Sequence, residues 1–146
     1  MSDAAGRPAP GATDRLRAVV VDPDADPVHD RSRLRFAGMM VAVGVAHFVA
    51  PRFFERIVPR WFPWARQAVV WSGVAEIASG VLIAVPSTRR LGGYLATATI
   101  VAVYPANIQM AVDASRGVDV GVPAWAAWLR LPMQFPMIRR AWSLTR

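Results

Sequence analysis

Cysteine is absent from the 146 residues, which excludes disulfides, thiolate metal sites and a cysteine nucleophile. Lysine is absent too, so all 17 basic residues are arginine. With so much Ala and Val, that usage points to a GC-rich coding sequence and a bacterial source. Charge is scarce, at 18% of residues against 54% hydrophobic, and mean hydropathy is +0.29. A soluble domain of this length is more polar, so the composition reads as a small integral membrane protein. The chain has no G-x-S-x-G, no H-E-x-x-H and no phosphate loop, so no motif specifies catalytic residues. His29 and His47 are the only histidines; with His29 in the N-terminal tail, bis-histidine haem ligation is excluded.

The net charge of +7 raises nucleic acid as a partner. The arginines flank apolar runs instead of clustering on a soluble face, so membrane topology accounts for them better. Residues 1–33 are rich in Pro, Gly and Asp, as in "GRPAPGA" and "DPDADPVHD". No apolar h-region follows the start, which predicts no cleavable signal peptide. The tail is expected to be mostly irregular and cytoplasmic, with "DRLRAVVV" adding a short element if a partner covers it. Asp22, Asp24 and Asp26 alternate as in a calcium loop, but Pro27 stands where Gly is needed and Arg33 where the closing Glu belongs.

Four apolar segments follow: Leu34 to Ala50, Arg66 to Val85, Leu91 to Val112 and Gly121 to Trp142. None alternates as a strand would, and helices satisfy the backbone in lipid. The expected fold is therefore all-α: a four-helix membrane bundle over residues 34–146 with short loops and antiparallel neighbours. With the N-terminus inside, eight arginines flank the cytoplasmic ends and five the outer ends, favouring N-in and C-in. The stretch "PRFFERIVPRWFPW" (51–64) places Phe53, Phe54, Ile57 and Val58 opposite Arg52, Glu55 and Arg56. It predicts a short interfacial helix between the first two spans, followed by Trp61 and Trp64 as anchors. Such a helix is either a connector resting at the interface or a lid over the bundle, the connector being the plainer reading.

Glu76 is the one charged residue in "VVWSGVAEIASGVLIAVP" (69–86). A lone charge at the bilayer centre costs about 2.5–3.5 kcal/mol on insertion scales. Arg130 falls at matching depth in the fourth segment, so a Glu76–Arg130 pair is expected. His47, Asn107 and Gln134 fall in the same half of the bundle, Gln134 one turn from Arg130. Ser72, Gly73, Glu76, Ser79 and Gly80 form a small, polar stripe suited to close helix approach. Each polar residue alone reads as interhelical glue or register fixing. Their convergence makes them a candidate site, since intramembrane ionisable groups are functional candidates by default. No metal set and no catalytic residue is indicated.

Several blocks carry a family resemblance: "GVAHF" (44–48), "FFERIVPRWFP" (53–63), Ser72–Ile77 with Ser79 and Gly80, "VPSTRRLGGY" (85–94), "YPANIQMA" (104–111) and "WLRLPMQ" (128–134). In order and spacing the chain resembles the DoxX family of small four-helix bacterial membrane proteins, over roughly residues 36 to 145. The resemblance implies an inner-membrane protein tied in some members to redox systems. One branch supplies a membrane subunit of a thiosulfate:quinone oxidoreductase, and another partners superoxide dismutase and a sulfurtransferase in mycobacteria. The lack of cysteine argues against a thiol relay within this chain. The reading from sequence is a subunit or anchor of a membrane complex, redox-linked and without independent catalysis. Its rivals are a redox subunit binding a quinone or another small molecule, a lipid included, and a small proton-coupled transporter gated by Glu76 and Arg130.

Overall fold

The computed structural model describes residues 11–21 and 26–146. Among them every regular element is helical: α1 (Ala12–Val20), α2 (Pro27–Val49), α3 (Pro51–Ile57), α4 (Ala65–Ala84), a 3-10 turn (Pro86–Thr88), α5 (Arg89–Ala102), α6 (Tyr104–Ser115) and α7 (Ala124–Ser143). Three stretches are long and apolar enough to cross a membrane: Pro27–Val49, Ala65–Ala84 and Pro86–Ser115. Helix α7 is as long as α4, but Arg130, Arg139 and Arg140 dilute its apolar character.

The expected first segment began at Leu34; the helix starts about two turns earlier, at Pro27. Asp26 caps it by accepting from the Val28 amide at 2.9 Å, and proline suits the first helical position, where its missing N–H costs nothing. The expected irregular tail is therefore helical over 12–20 and again from 27; its residues 1–10 and 22–25 lie outside the described residues. The third expected segment is two helices, broken at Val103 (φ −84°, ψ −5°) where Pro105 removes a backbone donor. Of the stretch 51–64 only Pro51–Ile57 is helical.

Helices α2 and α4 run antiparallel in close contact. A Cβ on Gly44 would fall 2.7 Å from the Gly73 carbonyl oxygen, one on Gly73 2.8 Å from His47 Cβ, and one on Gly80 2.6 Å from the Ala37 carbonyl oxygen. The backbones approach along this seam because no side chain intervenes, as the small stripe on α4 predicts. Gly92 of α5 does the same against Ile83, and Gly93 against Ala141 of α7. At this end Phe36, Met40, Ile83, Ile100 and Leu144 form one buried cluster drawn from α2, α4, α5 and the end of α7. A second cluster at the other end joins Ile57 of α3 to Met110 and Ala111 of α6 and Ala127 of α7.

Arg33 ties the first end together. It is 4% exposed. It donates to the carbonyls of Ile83 (2.7 Å) and Ala84 at the end of α4, to Val20 O (2.7 Å) at the end of α1, and to Asp30. Helix C-termini leave carbonyls without partners and carry partial negative charge, so one guanidinium stabilises two of them at once. Thr88 Oγ1 donates to the neighbouring carbonyl of Leu82 at 2.8 Å.

Candidate functional site

A cavity of about 230 Å³ opens at the α3 end between α2, α3, α4, α6 and α7. Four of the five polar residues singled out in the sequence line it: His47 at the end of α2, Glu76 in the middle of α4, Asn107 in the first turns of α6, and Arg130 of α7. Gln134 does not. It is buried one turn further along α7, and its Oε1 has no hydrogen-bond partner.

The expected Glu76–Arg130 ion pair does not form. The partner of Glu76 is His47, whose Nδ1 stands 3.1 Å from Oε2. The same nitrogen is 2.9 Å from the Val43 carbonyl oxygen, one turn back on α2. Both neighbours are acceptors, so Nδ1 carries the hydrogen. It is aligned on Val43, and Glu76 Oε2 is left at ion-pair distance without an aligned hydrogen bond. Matching of depth correctly puts Arg130 in the same cavity. The glycine seam, however, presses α2 directly against α4 at Gly73, one turn from Glu76, so His47 reaches the carboxylate first.

Arg130 instead donates from Nε to Asn107 Oδ1 at 2.9 Å. That bond uses the amide oxygen and leaves Asn107 Nδ2, buried in a residue 2% exposed, with nothing to donate to. The site thus holds one buried acceptor, Glu76 Oε2, and one buried donor, Asn107 Nδ2, each without an aligned hydrogen bond. Groups in that state cost about 1–3 kcal/mol each unless water or a ligand completes them.

The walls missed by sequence reasoning come mainly from the stretch after α2. Phe54 stacks on the His47 ring, with centroids 3.8 Å apart and planes at 21°, while Phe53 packs at a right angle to Phe54. Ile57, Pro59, Trp61 and Phe62 continue the wall, and Ser72 of α4 faces it. The stretch thus lines the cavity beside the polar cluster. Its apolar periodicity is visible in the sequence; that its apolar face packs onto α6 and α7, through Ile57, is not. Gly121, at φ +79°, lets the α6–α7 loop pass close beneath the Phe53 ring, which a Cβ at that position would approach to 2.9 Å.

Among the described residues the chain is all-helical, with three helical stretches long and apolar enough to cross a membrane and a partly polar cavity at one end. Residues 36–145 match the family model described as Domain of unknown function (DUF8561), and the chain belongs to that family. No curated protein and no solved structure matches it significantly.

Proposed function

We propose that this is a multi-pass membrane protein with four spanning segments, α7 being the fourth, that binds a small ligand in the Glu76 cavity. It does so as a subunit of a membrane complex, without catalysis of its own. The observation that carries this is that a buried acceptor without an aligned hydrogen bond, Glu76 Oε2, and a buried donor without one, Asn107 Nδ2, border one aromatic-walled space. A ligand with an apolar ring and a polar edge that both donates and accepts would complete them. The volume of about 230 Å³ lies below the ~300–1,000 Å³ usual for drug-sized ligands, so it suits a single ring or headgroup. A quinol head fits that description, a hydroxyl donating to Glu76 Oε2 and an oxygen accepting from Asn107 Nδ2, with its tail leaving towards lipid. The oxidised quinone only accepts and answers Asn107 alone.

The resemblance to the DoxX family supports the four-span architecture, an inner-membrane location and a redox connection for the complex. The excess of arginine at the Arg33 end supports a cytoplasmic position for both termini. The rival reading, a proton-coupled gate of Glu76 and Arg130, has less support, since their direct partners are His47 and Asn107.

The test is extraction and mass spectrometry of small molecules bound to protein purified from native membranes, alongside Ser72→Phe, which fills the cavity. A near-stoichiometric ring compound in the wild type and none in the variant is the expected result. Melting curves with a short-chain benzoquinone and its quinol then identify the class. Equal recovery from both proteins, or no bound molecule and no shift with either probe, would overturn the proposal.

A further inference from the structure

The end of the molecule opposite the Glu76 cavity carries a helix that the bundle does not bury. Helix α1 has no buried residue, and its Leu16 and Val19 are 66% and 56% exposed. At about 100° per residue, Ala12, Leu16, Val19 and Val20 share one face that covers about 100° of the helix. Arg15 and Arg17 border that face, one on each side, and Asp14 stands opposite it. A helix this short is marginal in water by itself, and the bundle gives α1 little apolar burial to offset that.

The height of α1 is fixed at one end. Arg33 Nη2 donates to Val20 O at 2.7 Å, while its Nη1 donates to the carbonyls of Ile83 and Ala84. The last turn of α1 therefore sits level with the end of α4, a helix long and apolar enough to cross a membrane. Tyr94 of α5 and Trp142 of α7 meet edge to face at 5.9 Å at the same end, both about half exposed. Exposed Tyr and Trp at the ends of spanning helices mark headgroup depth.

The size of the apolar face decides between occupants. A helix of this length presents roughly 13 Å by 10 Å on one side, far below the ~800 Å² that each partner buries in a stable protein interface. A second copy or another protein would gain too little there to hold. A lipid surface needs no such area, because the Arg33 bond already keeps α1 beside it and makes the contact intramolecular. An apolar face with basic margins and an acid on the far side is also the pattern of a helix lying in a membrane interface.

We infer that α1 lies flat in the membrane surface at this end, with Leu16, Val19 and Val20 set among lipid headgroups and upper acyl chains. The inference rests on the membrane location proposed above but not on any ligand at Glu76.

The chain has no cysteine, so single spin labels can be placed without removing any. The experiment puts them at Leu16, Val19 and Ala18 of α1, and at Val81 on the exposed side of α4, in the full chain in phosphatidylcholine liposomes. Collisions with oxygen, which concentrates in lipid, are compared with collisions with a nickel chelate, which stays in water. Oxygen should dominate at 16, 19 and 81, and nickel at 18. A wild-type-like melting midpoint shows that each labelled protein is folded, and if the label at 16 disturbs the fold, 19 decides. Nickel dominance at 16 and 19 with oxygen dominance at 81 would overturn the inference and leave the membrane reading standing. Exclusion of both reagents at 16 and 19 would assign the face to a protein partner or a second copy, and overturn it too. Nickel dominance at 81 would sink the membrane reading itself, and the inference with it.

Discussion

His47 Nδ1 and Glu76 Oε2 lie 3.1 Å apart, each in a residue less than a tenth exposed, and the contact joins the last turn of α2 to the middle of α4. Because the Nδ1 hydrogen is aligned on Val43, the carboxylate keeps lone pairs to spare inside the cavity. The contact therefore ties the end of α2 to α4 and leaves an acceptor open to whatever enters.

This geometry predicts a double-mutant cycle in which His47→Gln and Glu76→Gln couple by roughly 0.5–3 kcal/mol, the range for residues in direct contact. Glu76→Gln with Arg130→Gln should couple less. Thermal unfolding in one detergent measures both. The assignment of partners fails if the Arg130 cycle gives the stronger coupling.

Along the α2–α4 seam, Gly80→Ala should destabilise by about 1–3 kcal/mol, since the new methyl meets the Ala37 backbone and cannot be accommodated by a side-chain rotation. Gly38→Ala on α2 meets nothing within 4 Å and should be neutral or stabilising, by up to about 1 kcal/mol. Melting midpoints of the two variants check this, and a similar loss in both would remove the seam as the cause.

Arg33 makes the boundary of the folded unit earlier than the apolar pattern suggests. A chain starting at Asp26 should insert and fold, while one starting at Leu34 should lose stability, because the end of α4 would lose its cap. Arg33→Lys keeps the charge but not the fork, and should fall well short of wild type. Equal yields and midpoints for the two truncations would contradict this.

Asp26 gives a pH dependence at the start of α2. The Val28 amide first, and then His29, hold its carboxyl below the ordinary value of 3.8. A carboxylate depressed on folding stabilises above its unfolded pKa, and that contribution is lost as pH falls through the lower folded value. The protection of the Val28 amide against exchange, relative to its intrinsic rate at each pH, should therefore fall on acidification below about pH 4. In Asp26→Asn, which caps without charge, that acid-dependent loss of protection should be absent.

The proposed orientation, with the arginine-rich end cytoplasmic, is open to labelling. Single cysteines at Ser87 and Ser143 should react from one side and a cysteine at Val118 from the other, with the first side cytoplasmic. Labelling of all three from the same side would exclude four crossings.

Much of the fold is legible in the sequence because apolar runs longer than about 17 residues leave little choice of structure. The span Arg66 to Val85 agrees within one residue with α4 at both ends. The start of α2 escapes the apolar pattern, because "DPVHD" is polar throughout its first turn. Its Asp-Pro pair is nonetheless a helix-start signal of a different kind, a cap followed by a residue suited to the first helical position. Depth along the helices places Glu76, Arg130, Asn107 and His47 in the same half of the bundle but does not rank partners, since that depends on how closely two backbones approach. Pro105 frees a carbonyl, which the sequence shows, but the division into α5 and α6 depends on the local backbone turn at Val103. Gln134 shares a face with Arg130, but depth separates the two, and only Arg130 reaches the cavity.

The interruption at Val103 divides one crossing into two parts with different neighbours. On one side of it, α5 is clamped by Gly92 and Gly93 against α4 and α7; on the other, α6 carries Asn107 and packs on α3. A continuous rod would transmit any tilt from one end to the other. Here the half that lines the cavity and the half sealed by glycine contacts meet at a single turn residue, Val103.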